Sequence, residues 1–532
     1  MTFATLFRKD GKDLASWLSL ALVACVPFEF RATPPYPTQL QIVFLALMAV
    51  SAPMLVRDRR ILLAGRVIQS ALVFVAIAWI AAFASDSNVA NALKAAARFS
   101  AGAGLMCVLA RQRDRNALRT VWAVTAVAAA VYGLLDFNGL GFPRLFREAE
   151  FYFEDTRRLS GSFEYPNTAA AYYAMSLPLV WGSIRSRPYR FGACALLWAA
   201  LILTYSRGAF IAAVAVFAAW GILRRTWTPL APVATALAVY AALSPWNPLL
   251  IERVTQFEAR PVRSAKYEAP YNRIREKPGT ISEMPLTLRN TGRETWQSGG
   301  DRNVRLSYFW YDTVRKEIVG LSPIETPLPN DVPAGGSITV NARFETPAVP
   351  GSYLLDWDLR YGSRGAFTLD GIPPAVVEAD IHGEAAPARE SADVSRWYRK
   401  PHDPGPTAQA DLQRRELWRA AGLLAMAHPI LGIGPDNYRL VYGRMLGFAQ
   451  WDRNIHSNSL YLEILVGTGA AGLMAFLFMM LNAAWRCTPA MLSLGVAMIH
   501  GVVDFFLMTT PVYFAFWILM GSGIAEAHED RI

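Results

Sequence analysis

The chain has 532 residues, of which 53% are hydrophobic and only 18% are charged, and its formal net charge is +10. A soluble protein of this length would expose far more charge, so the composition excludes an ordinary soluble enzyme and predicts a membrane protein with several spans. The positive charge lies in short loops between apolar runs, as membrane orientation requires, and therefore does not indicate a nucleic-acid partner.

Apolar runs long enough to cross a bilayer as helices recur along the chain. The run that opens the chain follows a basic stretch at 7–12 without a convincing cleavage site, so we expect a retained helix and not a removed signal peptide. We predict about twelve spans, at 14–31, 38–56, 67–84, 90–110, 118–137, 167–184, 190–205, 208–223, 228–246, 457–483, 489–507 and 510–526.

The loops between these runs alternate between basic and non-basic. The basic loops are 57–60, 111–119, 185–190, 224–225 and residue 486. The positive-inside rule places them, and both termini, in the cytoplasm, so that 138–166 and 247–456 face outward. We therefore divide the chain into N-terminal spans at 1–246, an outward insertion at 247–410, outward helices at 411–456 and C-terminal spans at 457–532.

The four cysteines are Cys25, Cys107, Cys194 and Cys487, and all lie within or at the ends of apolar runs. Neither a disulfide framework nor a CxxC metal site is indicated, and we expect these residues to behave as small hydrophobes.

The outward insertion carries a β pattern. Between about 280 and 382, apolar residues alternate with polar ones in several short runs separated by Gly- and Pro-rich turns. Such spacing predicts a β-sandwich that resembles an immunoglobulin-like domain without its cysteine pair. A role in binding glycan or a partner and a role as a spacer or cover both remain open. The predicted fold class is a mainly α membrane protein with a β-sandwich insertion.

After a Pro-rich linker at 400–406, the apolar spacing over 411–426 predicts an amphipathic helix on the outer leaflet. Pro429 ends it, and 432–438 forms a tight turn into another short helix. The stretch 454–472 then leads into the tenth span, with Ser457 or Asn458 as the expected helix cap. His456 falls at the water–lipid boundary, where a titratable imidazole is often functional, although a helix cap with an interfacial histidine explains the spacing equally well.

Charged residues inside or beside spans are costly, and here they gather near the predicted outer side. Each alone is also explained by snorkelling or by a helix-end ion pair. Several arginines and a histidine around one aqueous mouth suit a diphosphate, because guanidinium matches phosphate geometry. These residues are Lys94, Arg98, Arg157, Arg158, Arg207, His500 and Asp504.

We expect no Asp-x-Asp pair, no HExxH motif and no paired-carboxylate cluster in the outward loops. Metal-assisted phosphate chemistry is therefore not indicated, and no cofactor is expected. Arginine side chains would then have to stabilise the charge of a leaving group.

Three blocks of sequence resemble the bacterial O-antigen ligase and polymerase superfamily of polytopic inner-membrane glycosyltransferases. The blocks are 158–167, with Arg-x-x-Gly-x-Phe before Pro-Asn; 204–209, with Thr-x-Ser-Arg-Gly-Ala; and the series 414–418, 428–434 and 456–461, with Arg-x-x-x-Trp, Pro-x-x-Gly-x-Gly and His-Ser-Asn. The resemblance covers most of the membrane part and the outward helices, but not the β-rich insertion.

The resemblance implies a GT-C-like helical fold and metal-independent transfer of a glycan from undecaprenyl diphosphate at the periplasmic face of the inner membrane. Arg207 and Arg414 would hold the diphosphate, with Arg415 as the alternative to Arg414. His456 would orient or deprotonate the acceptor hydroxyl, or assist the leaving group. Asn167, Asn458 and Glu463 are weaker candidates for substrate binding.

The acceptor is left open. We favour an O-antigen ligase that joins a finished polysaccharide to lipid A–core, while a polymerase would use another lipid-linked repeat unit and a third member type would use protein hydroxyls. A transporter or flippase is the alternative from another class. Two six-span halves around a cytoplasmic loop would favour it, but here the large loop is outward, late and asymmetric.

Overall fold

A computed structural model describes residues 12–30, 36–63, 65–112, 114–140, 152–153, 156–247, 250–251, 263–300, 303–315, 317–319, 321, 323–361, 366–370, 372, 374–387, 407–408, 414–447, 450–484 and 488–529. The chain forms two compact units. The helical unit comprises Met1–Thr255, Gln413–Leu446 and Arg453–Ile532, and the β unit comprises Gln256–Leu412 and Gly447–Asp452. The predicted Cys487 and Arg486 lie outside the described residues.

The N-terminal part of the helical unit follows the apolar runs of the sequence. Its helices are α1 (Lys12–Cys25), α2 (Gln39–Arg57), α3 (Arg59–Leu63), α4 (Arg66–Phe83), α5 (Val89–Ala110), α6 (Arg115–Phe137), α7 (Pro166–Ser183), α8 (Arg187–Leu203), α9 (Arg207–Arg224) and α10 (Ala231–Leu243). Local signals fix several starts: Thr38 and Gln41 form a capping box before α2, and the Asn88 side chain accepts from Asn91 N, 2.9 Å away, at α5.

The C-terminal part adds α11 (Arg414–Ala427), α12 (Tyr438–Met445), α13 (Leu460–Ala484), α14 (Pro489–His500) and α15 (Thr510–Glu529). Among the described residues, seven helices are long and apolar enough to cross a membrane, and shorter apolar helices accompany them. The chain is therefore a mainly helical membrane protein. The seven are Gln39–Arg57, Arg66–Phe83, Val89–Ala110, Arg115–Phe137, Arg207–Arg224, Thr228–Trp246 and Leu460–Ala483.

Two features near the C-terminus differ from expectation. The helix predicted to reach residue 507 ends at His500 and is followed by a turn. At the start of α13, Leu460 N donates to Gly501 O at 2.7 Å and to Asp504 O at 3.0 Å. Because that loop satisfies the helix start, neither Ser457 nor Asn458 provides a side-chain cap among the described residues, and the predicted cap is wrong.

The helix α13 is broken at Gly469, whose φ of 66° is left-handed. The turn between α11 and α12 packs into this break: Ala470 N donates to Pro429 O at 2.8 Å, and Ile433 N donates to Val466 O at 2.9 Å. A β-carbon on Gly432 would overlap Val466 O. Glycine at both positions therefore allows a loop backbone to contact a helix backbone directly.

The β unit contains the strands β3 (Ala265–Glu268), β4 (Arg273–Glu276), β5 (Ile281–Asn290), β6 (Val304–Asp312), β7 (Glu317–Val319), β8 (Thr326–Pro327), β9 (Ser337–Glu345), β10 (Gly351–Tyr361) and β11 (Ala375–Ile381). The short pairs β1 (Tyr152–Phe153) with β2 (Thr156–Arg157) and β12 (Thr407–Ala408) with β13 (Gln450–Trp451) complete the strands that the structure describes. The strands of this unit thus begin at Ala265, before the predicted start of the β-sandwich at about residue 280.

The strands form two sheets that share one core. One sheet has the order β4-β11-β10-β6-β7 with β8 on β6, and the other has the order β3-β5-β9. Phe344 of β9 packs edge-on against Trp357 of β10, with ring centroids 5.8 Å apart. Side chains that alternate along β5, β6, β9 and β10 fill the space between the sheets. This arrangement is a β-sandwich.

One expectation about the outward segment is wrong. The strand β10 contains an Asp-x-Asp pair, Asp356 and Asp358, and both side chains are fully buried. Asp358 accepts from Thr368 N at 3.1 Å, Thr368 Oγ1 at 2.6 Å and Tyr267 Oη at 3.2 Å. Burial raises the pKa of the Asp358 carboxyl to about 6. The contacts of Asp358 are those of an internal structural group.

Candidate functional site

The helical unit encloses a cavity of about 340 Å³ that opens beside His456. Helix α5, the turn before α12, the loop before α13, α13 itself and the segment around α15's start all contribute to its wall. The lining residues are Lys94, Ala95, Arg98, Phe99, Pro435, Asp436, Arg439, Asn454, His456, Glu463, Ile464, Thr468, Phe505, Leu507, Met508 and Tyr513. We call this the His456 cavity.

His456 and Glu463 form a buried pair in its wall. The imidazole is 6% exposed, and its Nδ1 lies 3.4 Å from Glu463 Oε1. The same carboxylate oxygen accepts from Ser457 N at 2.6 Å, which fixes Glu463 in place. Nδ1 thus lies within ion-pair distance of Glu463 but makes no hydrogen bond within the described part of the chain. A histidine beside a carboxylate is a recurring catalytic arrangement, and such contacts are often long or poorly aligned without substrate.

Arg439 holds the turn that brings α12 to the cavity. Its guanidinium binds the Asp436 carboxylate with two contacts, Nε–Oδ1 at 3.0 Å and Nη2–Oδ2 at 2.9 Å, and donates to Asn91 Oδ1 at 2.9 Å. The hydrogen bonds to Asp436 raise the pKa of Arg439. Asp436 has a left-handed φ of 62°, and its carbonyl accepts from Asn91 Nδ2 at 3.0 Å. This network ties the turn to the start of α5.

Two cations from α5 reach the cavity. Arg98 donates through Nη2 to Met508 O at 3.0 Å, and its guanidinium stacks 4.4 Å above the centroid of the Tyr513 ring. Lys94, one turn earlier on the same face, is exposed. Its ammonium makes no hydrogen bond or ion pair with another residue of the described chain. The two neighbouring cations therefore differ in what remains available to a ligand.

A second charged group lies around Arg158 and His500. Arg158 donates through Nε to Thr204 O at 2.9 Å and through Nη2 to Asn167 Oδ1 at 2.8 Å. His500, which is 2% exposed, places Nε2 at 3.5 Å from Asp504 Oδ2. Burial lowers the pKa of Arg158 to about 10, an effect that Asp504 opposes and Arg414 reinforces. At that value the guanidinium stays charged at neutral pH. We call this the Arg158 group.

The segment 501–508 lies between the two groups. Phe505 contacts His456, with ring centroids 5.0 Å apart, and lines the His456 cavity. Its neighbour Asp504 contacts His500 instead. Arg207, the first residue of α9, precedes Gly208, where a β-carbon would come within 3.2 Å of the His500 ring. The α9 start therefore belongs to the Arg158 side.

The predicted site residues are thus divided between two neighbouring places. Four of them line the His456 cavity: Lys94, Arg98, His456 and Glu463. Arg158, Asn167, His500 and Asp504 form the Arg158 group, Arg207 adjoins it, and Arg414 acts electrostatically on Arg158 and His500. Arg415 is exposed on α11, and Asn458 occupies a left-handed turn with a φ of 53°. Arg157 binds Asp136 at 2.9 Å.

Sequence reasoning missed Asp436, Arg439 and Asn454, which also line the cavity. The first two stand three residues apart across the start of α12, and that spacing favours an ion pair on a helix. Only the docking of the turn onto α5 makes the pair part of a cavity wall.

No family model matches the chain, and no curated protein matches it. Among solved structures, the ASH / PapD-like domain of human CEP192 (PapD-like domain 7) is similar at 16% sequence identity, over 25% of this chain and 94% of that chain, with a TM-score of 0.14. A similarity at that TM-score carries no argument about this protein.

Proposed function

We propose that this chain is a glycosyltransferase of the bacterial inner membrane that moves a glycan from undecaprenyl diphosphate to an acceptor at the periplasmic face. In this proposal about twelve helices cross the membrane in a GT-C-like arrangement, both termini are cytoplasmic, and the β-sandwich is periplasmic. The observation that carries the proposal is His456, which lines a cavity with three cationic side chains and has its Nδ1 3.4 Å from a buried carboxylate.

The chemistry needs one proton acceptor and one charge stabiliser. The acceptor hydroxyl attacks the anomeric carbon of the donor, its proton passes to His456 Nε2, and the bond from the anomeric carbon to the phosphate oxygen breaks. Undecaprenyl diphosphate leaves with the electron pair of that bond. Glu463, 3.4 Å from Nδ1, stabilises the positive charge of the imidazole once it is protonated.

The Arg158 side of the site is the proposed place for the leaving diphosphate. In a single displacement, the attacking hydroxyl and the leaving group lie on opposite faces of the anomeric carbon. His456 lines the cavity, while Arg207 begins a helix whose next residue lies beside His500 and Arg414 acts electrostatically on Arg158. Guanidinium groups stabilise phosphate charge and cannot lose their own charge near neutral pH.

The acceptor class follows the sequence resemblance and remains a proposal. We favour lipid A–core as acceptor, which would make the chain an O-antigen ligase. A polymerase acting on a second lipid-linked repeat unit and a protein O-oligosaccharyltransferase would use the same donor chemistry. No nucleic acid is involved, and membrane lipid surrounds the helices.

The test is transfer by the purified full-length chain in lipid nanodiscs. Fluorescent glycan on undecaprenyl diphosphate is supplied with lipid A–core, with a second lipid-linked glycan or with a hydroxyl-bearing peptide. We expect labelled product with one acceptor, and equal turnover after chelation by EDTA. Movement of the intact donor across a vesicle membrane without any product would instead identify a flippase. Loss of turnover under EDTA that magnesium or manganese restores would contradict the metal-independent mechanism.

A further inference from the structure

The His456 cavity has an excess of positive charge. Three cationic side chains, Lys94, Arg98 and Arg439, line it, but only two acidic ones, Asp436 and Glu463. Asp436 is held by Arg439, and Glu463 accepts from Ser457 N and faces His456. The remaining positive charge is therefore concentrated on the α5 side of the cavity.

Within that side, Lys94 is the cation whose ammonium no contact with a described residue holds in place. Arg98 is oriented by Met508 O and by the Tyr513 ring. Lys94 makes no hydrogen bond or ion pair with any residue in the described ranges, and all three of its N–H donors remain for a ligand or for water. The walls of the His456 cavity include Phe99, Ile464 and Leu507. Apolar walls lower the local dielectric and strengthen the attraction of an anion.

The anion that meets Lys94 belongs to the acceptor if the proposed reaction geometry holds. His456 lines the cavity and receives the proton of the attacking hydroxyl, so the acceptor sugar occupies the cavity. The diphosphate leaves on the opposite face, toward the Arg158 group. Lys94 then lies beside the acceptor and away from the leaving group.

We propose that the acceptor carries a phosphate or carboxylate on the sugar that bears the attacking hydroxyl, and that Lys94 binds this anionic group. The inference rests on the proposed glycosyl transfer and names the substrate class of the same site. A lysine ammonium is a compact point charge that accepts either anion without a fixed fork geometry. Arg439 keeps Nε, Nη1 and Nη2 on protein oxygens, and Arg98 is held by Met508 O and by the Tyr513 ring, so both contribute field from fixed positions.

The experiment uses three matched acceptor glycolipids whose head sugar bears a phosphate, a carboxylate or neither, with the full-length chain in nanodiscs. We expect kcat/KM to be about tenfold higher for at least one charged acceptor, as one charge-assisted contact supplies. Lys94→Gln should raise KM about tenfold for that acceptor and leave KM unchanged for the neutral acceptor and for the donor. Lys94→Arg should retain the preference. Lys266→Gln, an exposed lysine of the β unit, is the control and should change nothing.

Three results separate the ideas. Transfer without any preference for charge overturns this inference and leaves the proposed function standing. A rise in donor KM in Lys94→Gln overturns it by assigning Lys94 to the donor diphosphate. If no acceptor receives glycan, the proposed function fails. Binding of glucose 6-phosphate, glucuronic acid and glucose to wild type and to Lys94→Gln then decides whether the cavity holds an anionic sugar. If the wild type prefers the charged sugars and Lys94→Gln loses that preference, an anionic sugar site is supported. If the wild type shows no such preference, that site is overturned.

Discussion

The helical unit and the β unit both bury a carboxyl group, and the surroundings of the two groups differ. Asp358 in the β unit is fully buried and accepts three hydrogen bonds from Thr368 and Tyr267. Glu463 in the helical unit is 5% exposed, accepts one bond from Ser457 N and lies beside a histidine that lines a cavity. Burial alone thus does not mark a functional acid, and we expect a functional acid where burial is combined with a titratable partner and open space.

This difference can be tested by what each substitution changes. Groups around the His456 cavity should alter turnover and leave stability nearly unchanged. Asp358 should alter stability and leave turnover nearly unchanged.

The largest effect is expected at His456. Removing a general base lowers turnover by about 10²–10⁴-fold, so His456→Ala should do so with the fold intact. Turnover per folded molecule is the measurement, with thermal unfolding recorded in parallel. His456→Gln keeps polarity and size and should be equally impaired. Near-normal turnover with lowered stability in both variants would make His456 a structural residue of the α13 start.

Glu463→Gln should lower kcat by about 10²-fold, because the loss cannot exceed that of the base it orients. The positioning role is read from a double-mutant cycle: once His456 is alanine, Glu463→Gln should cost little more. Glu463 also accepts a hydrogen bond from Ser457 N. If its role is only structural, Glu463→Gln should lower kcat by the same factor in the His456→Ala background as in the wild type.

Arg207→Lys should lower turnover by about tenfold, less than removal of a charge-stabilising donor, since ammonium keeps the charge but not the fork. This loss of turnover should be seen when the concentration of the lipid-linked donor is varied, and it should be the same whichever acceptor is used. Arg187→Lys, an exposed arginine at the start of α8, is the matched control. Equal turnover in both variants would remove Arg207 from the site.

Asp358→Asn should have the smallest effect on transfer, and it should change how the free energy of unfolding depends on pH. The folded state raises the pKa of Asp358 to about 6, so folding binds a proton between the unfolded and folded values. Stability is then highest at low pH and falls by about 3 kcal/mol as pH rises from about 4 to about 6. The asparagine variant should lose this dependence in thermal unfolding followed by tryptophan fluorescence.

Asp331 supplies the control of opposite sign. Hydrogen bonds from Ser298 N and Oγ lower the pKa of this exposed carboxyl. Its contribution is present at neutral pH and lost as the pH falls through the lowered pKa, so Asp331→Asn should destabilise more at pH 7 than in strong acid. The same pH response in both variants would contradict the difference in their surroundings.

The sequence located the helices because apolar length is written continuously along the chain. A helix occupies each of the twelve predicted stretches, and within the described ranges seven helices have the length and hydropathy needed to cross a membrane. The alternation from 281 onward likewise revealed the main strands. Charge alone did not separate the His456 cavity from the Arg158 group, because that separation depends on the turn after His500. The Arg439–Asp436 pair also escaped notice, since an ion pair between near neighbours looks like a surface feature.

The break at Gly469 has a consequence for biosynthesis. It lies nine residues after the start of α13, about 13 Å along the helix at 1.5 Å per residue. The turn from Pro429 to Gly434 has no backbone partner for Ile433 N until that later helix is in place. During synthesis the ribosome releases this turn before α13, so the cavity wall is completed only after a downstream span has been made. A chain truncated before residue 460 would carry Lys94, Arg98, Arg439 and His456 and still have no assembled cavity.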